Sequence, residues 1–195
     1  MSISAQARTA LFLVGAGVLL FGSAGTFLIP AFWLYLAILT AVFIVSFVML
    51  DPELLHERMR PGGNPLPFGV MLATLVFSLH WVVAGFDRGR FHLSDTVPLP
   101  LQAVGFFVFA AGQVLAFWAM RVNRFFSSIV RIQSDRGQYV VTAGPYAFVR
   151  HPGYAAGILV IAASGIALGS WFAVELAGYE DYAQRVRWRL LPGIW

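Results

Sequence analysis

Five apolar stretches, at about 10–29, 31–50, 67–86, 99–120 and 153–174, set the terms on which this chain can fold. Each is roughly 20 residues long, the length at which an α-helix crosses the ~30 Å hydrocarbon core of a bilayer. Inside a bilayer the backbone must satisfy its own hydrogen bonds, so a lone apolar stretch of this length becomes a helix. The rest of the composition agrees: 59% of the 195 residues are hydrophobic and 11% are charged, against about 25% charged in soluble domains. The sequence predicts an all-α integral membrane protein of about five transmembrane helices, a single domain over residues 1–195.

The punctuation between the stretches fills in the order. Arg8 ahead of an apolar run resembles the start of a signal peptide. The run from Ala10 to Ile29 is a full span without a clear small-residue cleavage site, however, so it is expected to stay as the first helix. Pro30 parts the first two stretches with almost no loop, which predicts a tight helical hairpin. Asp51-Pro52 ends the second, and Asp51, Glu53 and Glu57 with their neighbouring arginines read as a solvated cap before the breaker run Pro61-Gly62-Gly63-Asn64-Pro65. Residues 138–142 read as a short extended piece before the Gly144-Pro145 turn. The tail, 175–195, reads as an interfacial helix ending at Pro192-Gly193.

Several chemistries are excluded. With no cysteine there are no disulfides, thiolate metal sites or cysteine nucleophiles, and with all 13 basic residues arginine there is no lysine base or Schiff base. The net charge of +4 suits anionic headgroups, and no pattern points to nucleic acid. His56, His80 and His151 form no ligand motif, so no metal or haem is expected; His80, within the third stretch, reads as satisfying a backbone or headgroup partner. Five crossings would put Arg8, Arg58, Arg60, Arg121, Arg124, Arg131, Arg136 and Arg150 on one side, and Arg88, Arg90, Arg185, Arg187 and Arg189 on the other. Returning the tail to the first side would sharpen that bias, so the charges favour an even number of crossings. Either 153–174 bends back as a re-entrant segment or a span is missing.

The chemistry concentrates in 121–154. Asn123, Gln133, Gln138, Tyr146, Arg150, His151 and Tyr154 supply donors and acceptors in one segment at a membrane boundary. Arg150 offers a planar fork suited to a carboxylate, and His151 a group that titrates near neutral pH. Pro145 and Pro152 restrict the backbone on either side, which lowers the cost of holding a ligand site in shape. The plainer alternative is that Arg150 snorkels to lipid headgroups. Gly153-xxx-Gly157 and Gly165-xxx-Gly169 are small-xxx-small patterns that suit close helix packing.

The runs Arg121–Gln133, Val141–Tyr146 and Val149–Tyr154 resemble the isoprenylcysteine carboxyl methyltransferase family, which is itself similar to membrane phospholipid methyltransferases. Asp51–Arg58 and Arg187–Trp195 look like bacterial members, so the similarity covers most of 45–195. The resemblance implies transfer of a methyl group from S-adenosylmethionine to a lipophilic acceptor, which could be a prenylated cysteine carboxylate, a lipid amine or carboxylate, or another small lipophile. It also implies a bacterial inner membrane, with loop 121–154 re-entrant and facing the cytoplasm. By motif position the cofactor would be held by Gln133, Gln138, Tyr139, Val140, Val141, Tyr146, Arg150, His151, Pro152, Gly153 and Tyr154; no catalytic residue is assigned. One departure stands out. After Gly169-Ser170-Trp171 the family pattern has a further apolar helix and an Arg followed by paired glutamates, whereas here Glu175 runs almost directly into Gly178-Tyr179. Roughly thirty residues, enough for one crossing and a turn or two, are absent relative to that pattern. The competing expectation is a degenerate relative that keeps the fold and lacks part of the site.

Overall fold

The computed structural model describes residues 5–63, 68–129 and 131–176. Five apolar helices occupy the expected stretches: α1 (Ala5–Ala24), α2 (Pro30–Met49), α4 (Phe68–Phe86), α5 (Leu99–Val122) and α6 (Pro152–Leu168). Two short ones, α3 (Pro52–Met59) and α7 (Trp171–Leu176), complete the set. Among the described residues there is no strand. Helices α1, α2 and α5 are long and apolar enough to cross a membrane, while α6 has 17 residues. Their outer faces carry exposed apolar side chains such as Val18, Val48, Phe107 and Val114, the surface expected against lipid. The chain is an integral membrane protein.

Two boundaries differ from the sequence reading. The first helix ends at Ala24, because Gly25 adopts φ 70° and turns the chain. Residues 25–29 then form a real connection, closed by Trp33 Nε1 donating to the Phe27 carbonyl at 2.9 Å. The fifth stretch is not one helix either. Gly169, at φ 77°, stops α6, and α7 folds back against it and α4. Gly165 permits this return, since a β-carbon there would stand 2.5 Å from the Val174 backbone nitrogen. Residues 138–142 have no ladder partner among the described residues and form an irregular segment. The interfacial helix expected over 175–195 falls almost wholly outside the described residues.

Glycines also set the principal helix contact, between α5 and α6. A β-carbon on Gly105 would meet the Ala167 backbone nitrogen at 2.7 Å, and one on Gly112 would meet Val160 at 2.9 Å. Without a hydrophobic driving force between helices in lipid, such close backbone approach is what holds them together. Around this seam pack Leu20, Phe32, Tyr35, Trp81 and Phe109, with the Tyr35 and Phe109 rings stacked at 4.6 Å.

A buried polar chain threads the same core. His80 Nδ1 lies 2.9 Å from the Ala173 carbonyl and Nε2 lies 2.8 Å from Ser164 Oγ. Ser164 Oγ is 2.9 Å from Tyr35 Oη, which accepts from Trp81 Nε1 at 3.2 Å. A carbonyl can only accept, so Nδ1 carries the proton, and in a neutral ring Nε2 accepts from Ser164. The single Ser164 proton is then used, and Tyr35 donates to Ser164. Every polar group is satisfied without a charge, and α2, α4, α6 and α7 are tied together.

The bundle has two distinct ends. At one, Arg90 Nε donates to the Ser23 carbonyl at 2.7 Å, and buried Asp87 accepts from the Ser94 amide at 2.9 Å and from the Ser170 hydroxyl. This linker end holds Arg88 and Arg90. Helix α3 and residues 123–151 lie at the opposite, loop end, with Arg58, Arg60, Arg121, Arg124, Arg131, Arg136 and Arg150. Arg185, Arg187 and Arg189 lie outside the described residues.

The glycines make a differential prediction. Gly165→Ala should lower thermal stability in detergent by about 1–3 kcal/mol through overpacking. Gly157→Ala, where a β-carbon meets nothing within 4 Å, should leave it unchanged or slightly raised. Equal effects at the two positions would contradict the packing described.

Candidate functional site

Helix α3 is the platform for the loop end. Asp51 caps it, its Oδ1 accepting from the Glu53 amide at 2.7 Å, and Pro52 opens the first turn. Leu54 packs inward at 2% exposure, and Glu57 follows one turn later at 5%. The sequence reading of Glu57 as part of a solvated cap is therefore corrected. Its carboxylate accepts from Arg131 Nε and Nη2, each at 3.0 Å, from Ser127 Oγ at 3.0 Å and from the Gly62 amide at 3.0 Å. Arg131 holds the Glu57 carboxyl down from its ordinary 4.5 to about 2, with the Gly62 and Ser127 bonds adding to the effect and burial opposing it. Further bonds join the same two elements: Arg136 Nε to Glu53 at 2.7 Å, and the Ser128 hydroxyl to the Arg58 carbonyl.

Two amides shape the loop itself. Asn123 Oδ1 accepts from the Phe125 amide at 2.9 Å, and its Nδ2 donates to Tyr146 Oη at 2.9 Å. Burial pushes the Tyr146 hydroxyl up in pKa, so it stays a neutral phenol at pH 7; the Asn123 bond opposes that shift. Gln133 is buried at 1% exposure. Its Nε2 donates to the Phe125 carbonyl at 2.7 Å, its Oε1 accepts from Arg136, and its amide donates to Gln138 Oε1 at 2.7 Å. Pro145 is buried beside Gly144, whose φ of 58° brings the backbone against Val122 and Trp118. Pro152 then opens α6, with His151 at the N-cap position.

These constraints leave a cavity of about 680 Å³ between the loop, α3 and the facing sides of α5 and α6. Of the residues implied by the motifs, Gln138, Tyr146, Arg150, His151, Pro152, Gly153 and Tyr154 come together on its wall. Gln133, Tyr139, Val140 and Val141 do not reach it. Gln133 is occupied in pinning the loop, Tyr139 packs edge-on to Phe125, and Val140 is exposed. Asn123, Phe125, Phe126, Ser127 and Ser128 line the cavity from the start of the loop.

A second cavity, of about 370 Å³, lies deeper among α1, α2, α3, α5 and α6. Phe12, Leu39, Val42, Phe43 and Phe47 make its wall largely apolar. The two cavities share Arg58, Gln113, Ala116, Met120 and Val160. Arg58 carries the one charge on that common wall, and sequence reasoning did not select it. The signal available was its place in the Asp51–Arg58 motif, but a charged helix does not announce which member faces inward. Among the described residues no group of three or more His, Asp or Glu side chains could hold a metal ion.

Fold and site together define a polytopic helical membrane protein with a braced polar cavity at one end of its bundle and an apolar cavity beside it. Residues 103–186, which include α5, the loop, α6 and α7, match the isoprenylcysteine carboxyl methyltransferase family. The segment that builds most of the larger cavity's wall is thus similar to a membrane methyltransferase family. No curated protein and no solved structure matches the chain.

The buried Glu57 carries a pH prediction. Its folded pKa lies below the ordinary value, so its contribution is complete above about pH 4.5 and is lost as pH falls toward 2. Glu57→Gln should cost about 2–3 kcal/mol at pH 7, the scale of a buried charge-assisted pair, and should flatten the acid limb of the stability profile. Thermal unfolding in detergent against pH checks this; an acid limb identical to that of the unsubstituted protein would contradict it.

Proposed function

We propose that this chain is an S-adenosylmethionine-dependent methyltransferase of a bacterial inner membrane, acting on a lipophilic acceptor. The observation that carries the reading is the pair of cavities with one common wall, built by the family-matched segment together with α3. The larger suits a nucleoside-bearing amino acid in volume and in donor set, lying within the ~300–1,000 Å³ of small-molecule pockets. Arg150 and His151 at its rim would hold the cofactor's carboxylate, and the rings of Tyr146, Tyr154, Phe125 and Phe126 offer apolar faces for its base. The bound cofactor would supply an electrophilic methyl group on a sulfonium. The protein's contribution is to exclude water and to fix the approach of the acceptor, since methyl transfer needs little acid–base help.

The smaller cavity suits the acceptor's hydrocarbon tail. Its apolar wall is continuous with the bundle interior, and a prenyl or acyl chain entering from lipid would meet only aliphatic and aromatic groups over most of its length. The arginine asymmetry between the two ends supports a cytoplasmic loop end by the positive-inside rule. That is the compartment in which S-adenosylmethionine is made. The direct passage from Glu175 to Gly178 favours one competing reading, a relative that keeps the fold without turnover.

Titration of the purified protein with S-adenosylmethionine should give saturable binding, weakened about tenfold or more by Arg150→Ala and by His151→Ala, each removing one charged or polar contact. No saturation at millimolar cofactor, or unchanged affinity in both variants, would sink the proposed cofactor site. Transfer of label from methyl-tritiated cofactor to a prenylated cysteine would remove the non-catalytic reading.

A further inference from the structure

The linker end, opposite both cavities, carries a cation whose placement has its own cause. Helix α4 packs so closely on the end of α1 that a β-carbon on Gly85 would collide with Ser23, and one on Gly89 with the Ala24 backbone. Beyond Phe86 the helix gives way to a π-helical turn, Asp87–Phe91, a distortion that recurs at functional sites. The turn sets Arg90 beside the positive-φ Gly25, where its Nη2 would stand 3.1 Å from a β-carbon at residue 25. Arg90 Nε donates to the Ser23 carbonyl at 2.7 Å, and the guanidinium carbon lies 5.8 Å from the centre of the Phe86 ring. The first contact satisfies a carbonyl of the last turn of α1. Neither contact uses the Nη hydrogens.

Among the described residues Arg90 has no carboxylate partner, because both acids of the linker are engaged elsewhere. Asp87 is buried and bonded to the Ser94 amide and the Ser170 hydroxyl, and Asp95 takes Arg88 at 2.8 Å and faces His92 Nδ1 at 3.2 Å. One residue past Gly25, the Thr26 hydroxyl accepts from the Leu28 amide at 3.1 Å, and its own hydrogen has no acceptor among the described residues. Around this turn Phe27, Leu28, Trp33 and Phe91 are exposed, and Trp33 is locked to the Phe27 carbonyl. Tryptophan anchored at the end of an apolar helix marks the membrane–water boundary. A guanidinium fork with free Nη donors at that boundary, flanked by exposed apolar groups, matches a phosphodiester carried on acyl chains. We propose that Arg90 on the Gly25 turn is a fixed phospholipid site. Its Nη donors hold the lipid phosphate, the Thr26 hydroxyl supplies a further donor, and Phe27, Leu28 and Trp33 lie against the glycerol and upper acyl chains. An arginine that only snorkels is free to move, whereas this one is held at Nε and over Phe86. The site stands whether or not the chain binds S-adenosylmethionine.

The test uses the purified full-length protein in dodecyl maltoside, a detergent without phosphate, and a phosphatidylglycerol carrying a diazirine close to its glycerol backbone. After illumination, peptide mapping should place label on peptides containing residues 25–33 and 86–93. Unlabelled phosphatidylglycerol should compete about tenfold better than diacylglycerol with the same chains, the scale of one charge-assisted hydrogen bond. Arg90→Gln should lower the label on these peptides about tenfold with the helical circular dichroism spectrum retained, and Arg90→Lys should keep part of it. Undiminished labelling in Arg90→Gln would overturn the proposal. Label spread evenly over all the lipid-facing helices would also overturn it, since that is the pattern of lipid contact without a site. Competition by millimolar inorganic phosphate would mark a site for a free anion and overturn the assignment to a lipid. Should Arg90→Gln lose its helical spectrum, the competition in the unsubstituted protein decides: diacylglycerol competing as well as phosphatidylglycerol would overturn the role of the phosphate.

Discussion

The bidentate contact between Glu57 and Arg131 is the interaction on which the loop end depends. Glu57 sits on a short helix that follows α2, and Arg131 sits in a loop of almost thirty residues with no strand among its described residues. A loop that long does not hold a shape by local turns alone. Here a carboxylate at 5% exposure collects Arg131, Ser127 and the Gly62 amide, satisfying nearly all its acceptor capacity. Because the carboxylate is desolvated and well bonded, removing either partner would strand a charge, which makes the attachment sensitive to a single substitution. Gln133 and Asn123 then pass that rigidity along to Gln138 and Tyr146, and Pro145 and Pro152 deliver Arg150 and His151 to the cavity wall.

The membrane part of the bundle supplies the other half of the arrangement. Glycines 105 and 112 let α5 and α6, the two helices of the larger cavity's wall, approach closely. The His80–Ser164–Tyr35–Trp81 chain fixes α2 and α4 against them from within. Tyr35 and Trp81 also line the smaller cavity, so the polar chain ends at its wall with its hydrogen bonds already made inside the protein. The rest of that wall is mostly apolar, with Thr9, Ser46, Arg58 and Gln113 as its further polar side chains.

Much of this was legible in the residues. Apolar length located the five long helices to within a few positions, and Arg150 to Tyr154 of the motif fall on the cavity wall. The misses have physical causes. Gly25 and Gly169 ended helices inside apolar runs, because a positive φ breaks a helix without any polar signal. Gln133 and Arg150 are both polar side chains of the same segment, yet one pins the loop and the other lines the cavity; only the fold tells them apart. Glu57 and Arg58 are neighbours in a charged octapeptide, and about 100° of helical rotation separates an anchor of the loop from a side chain on the cavity wall. The Gly105 and Gly112 seam escaped notice because its spacing is seven residues, not four.

The central claim is that residues 121–154 close over the S-adenosylmethionine site. Ultraviolet cross-linking of methyl-tritiated S-adenosylmethionine to the full-length protein, followed by peptide mapping, tests it most directly. The account predicts label on peptides from 121–154, competed away by S-adenosylhomocysteine. Competable label confined to α1, α2 or the linker at 87–98 would contradict it.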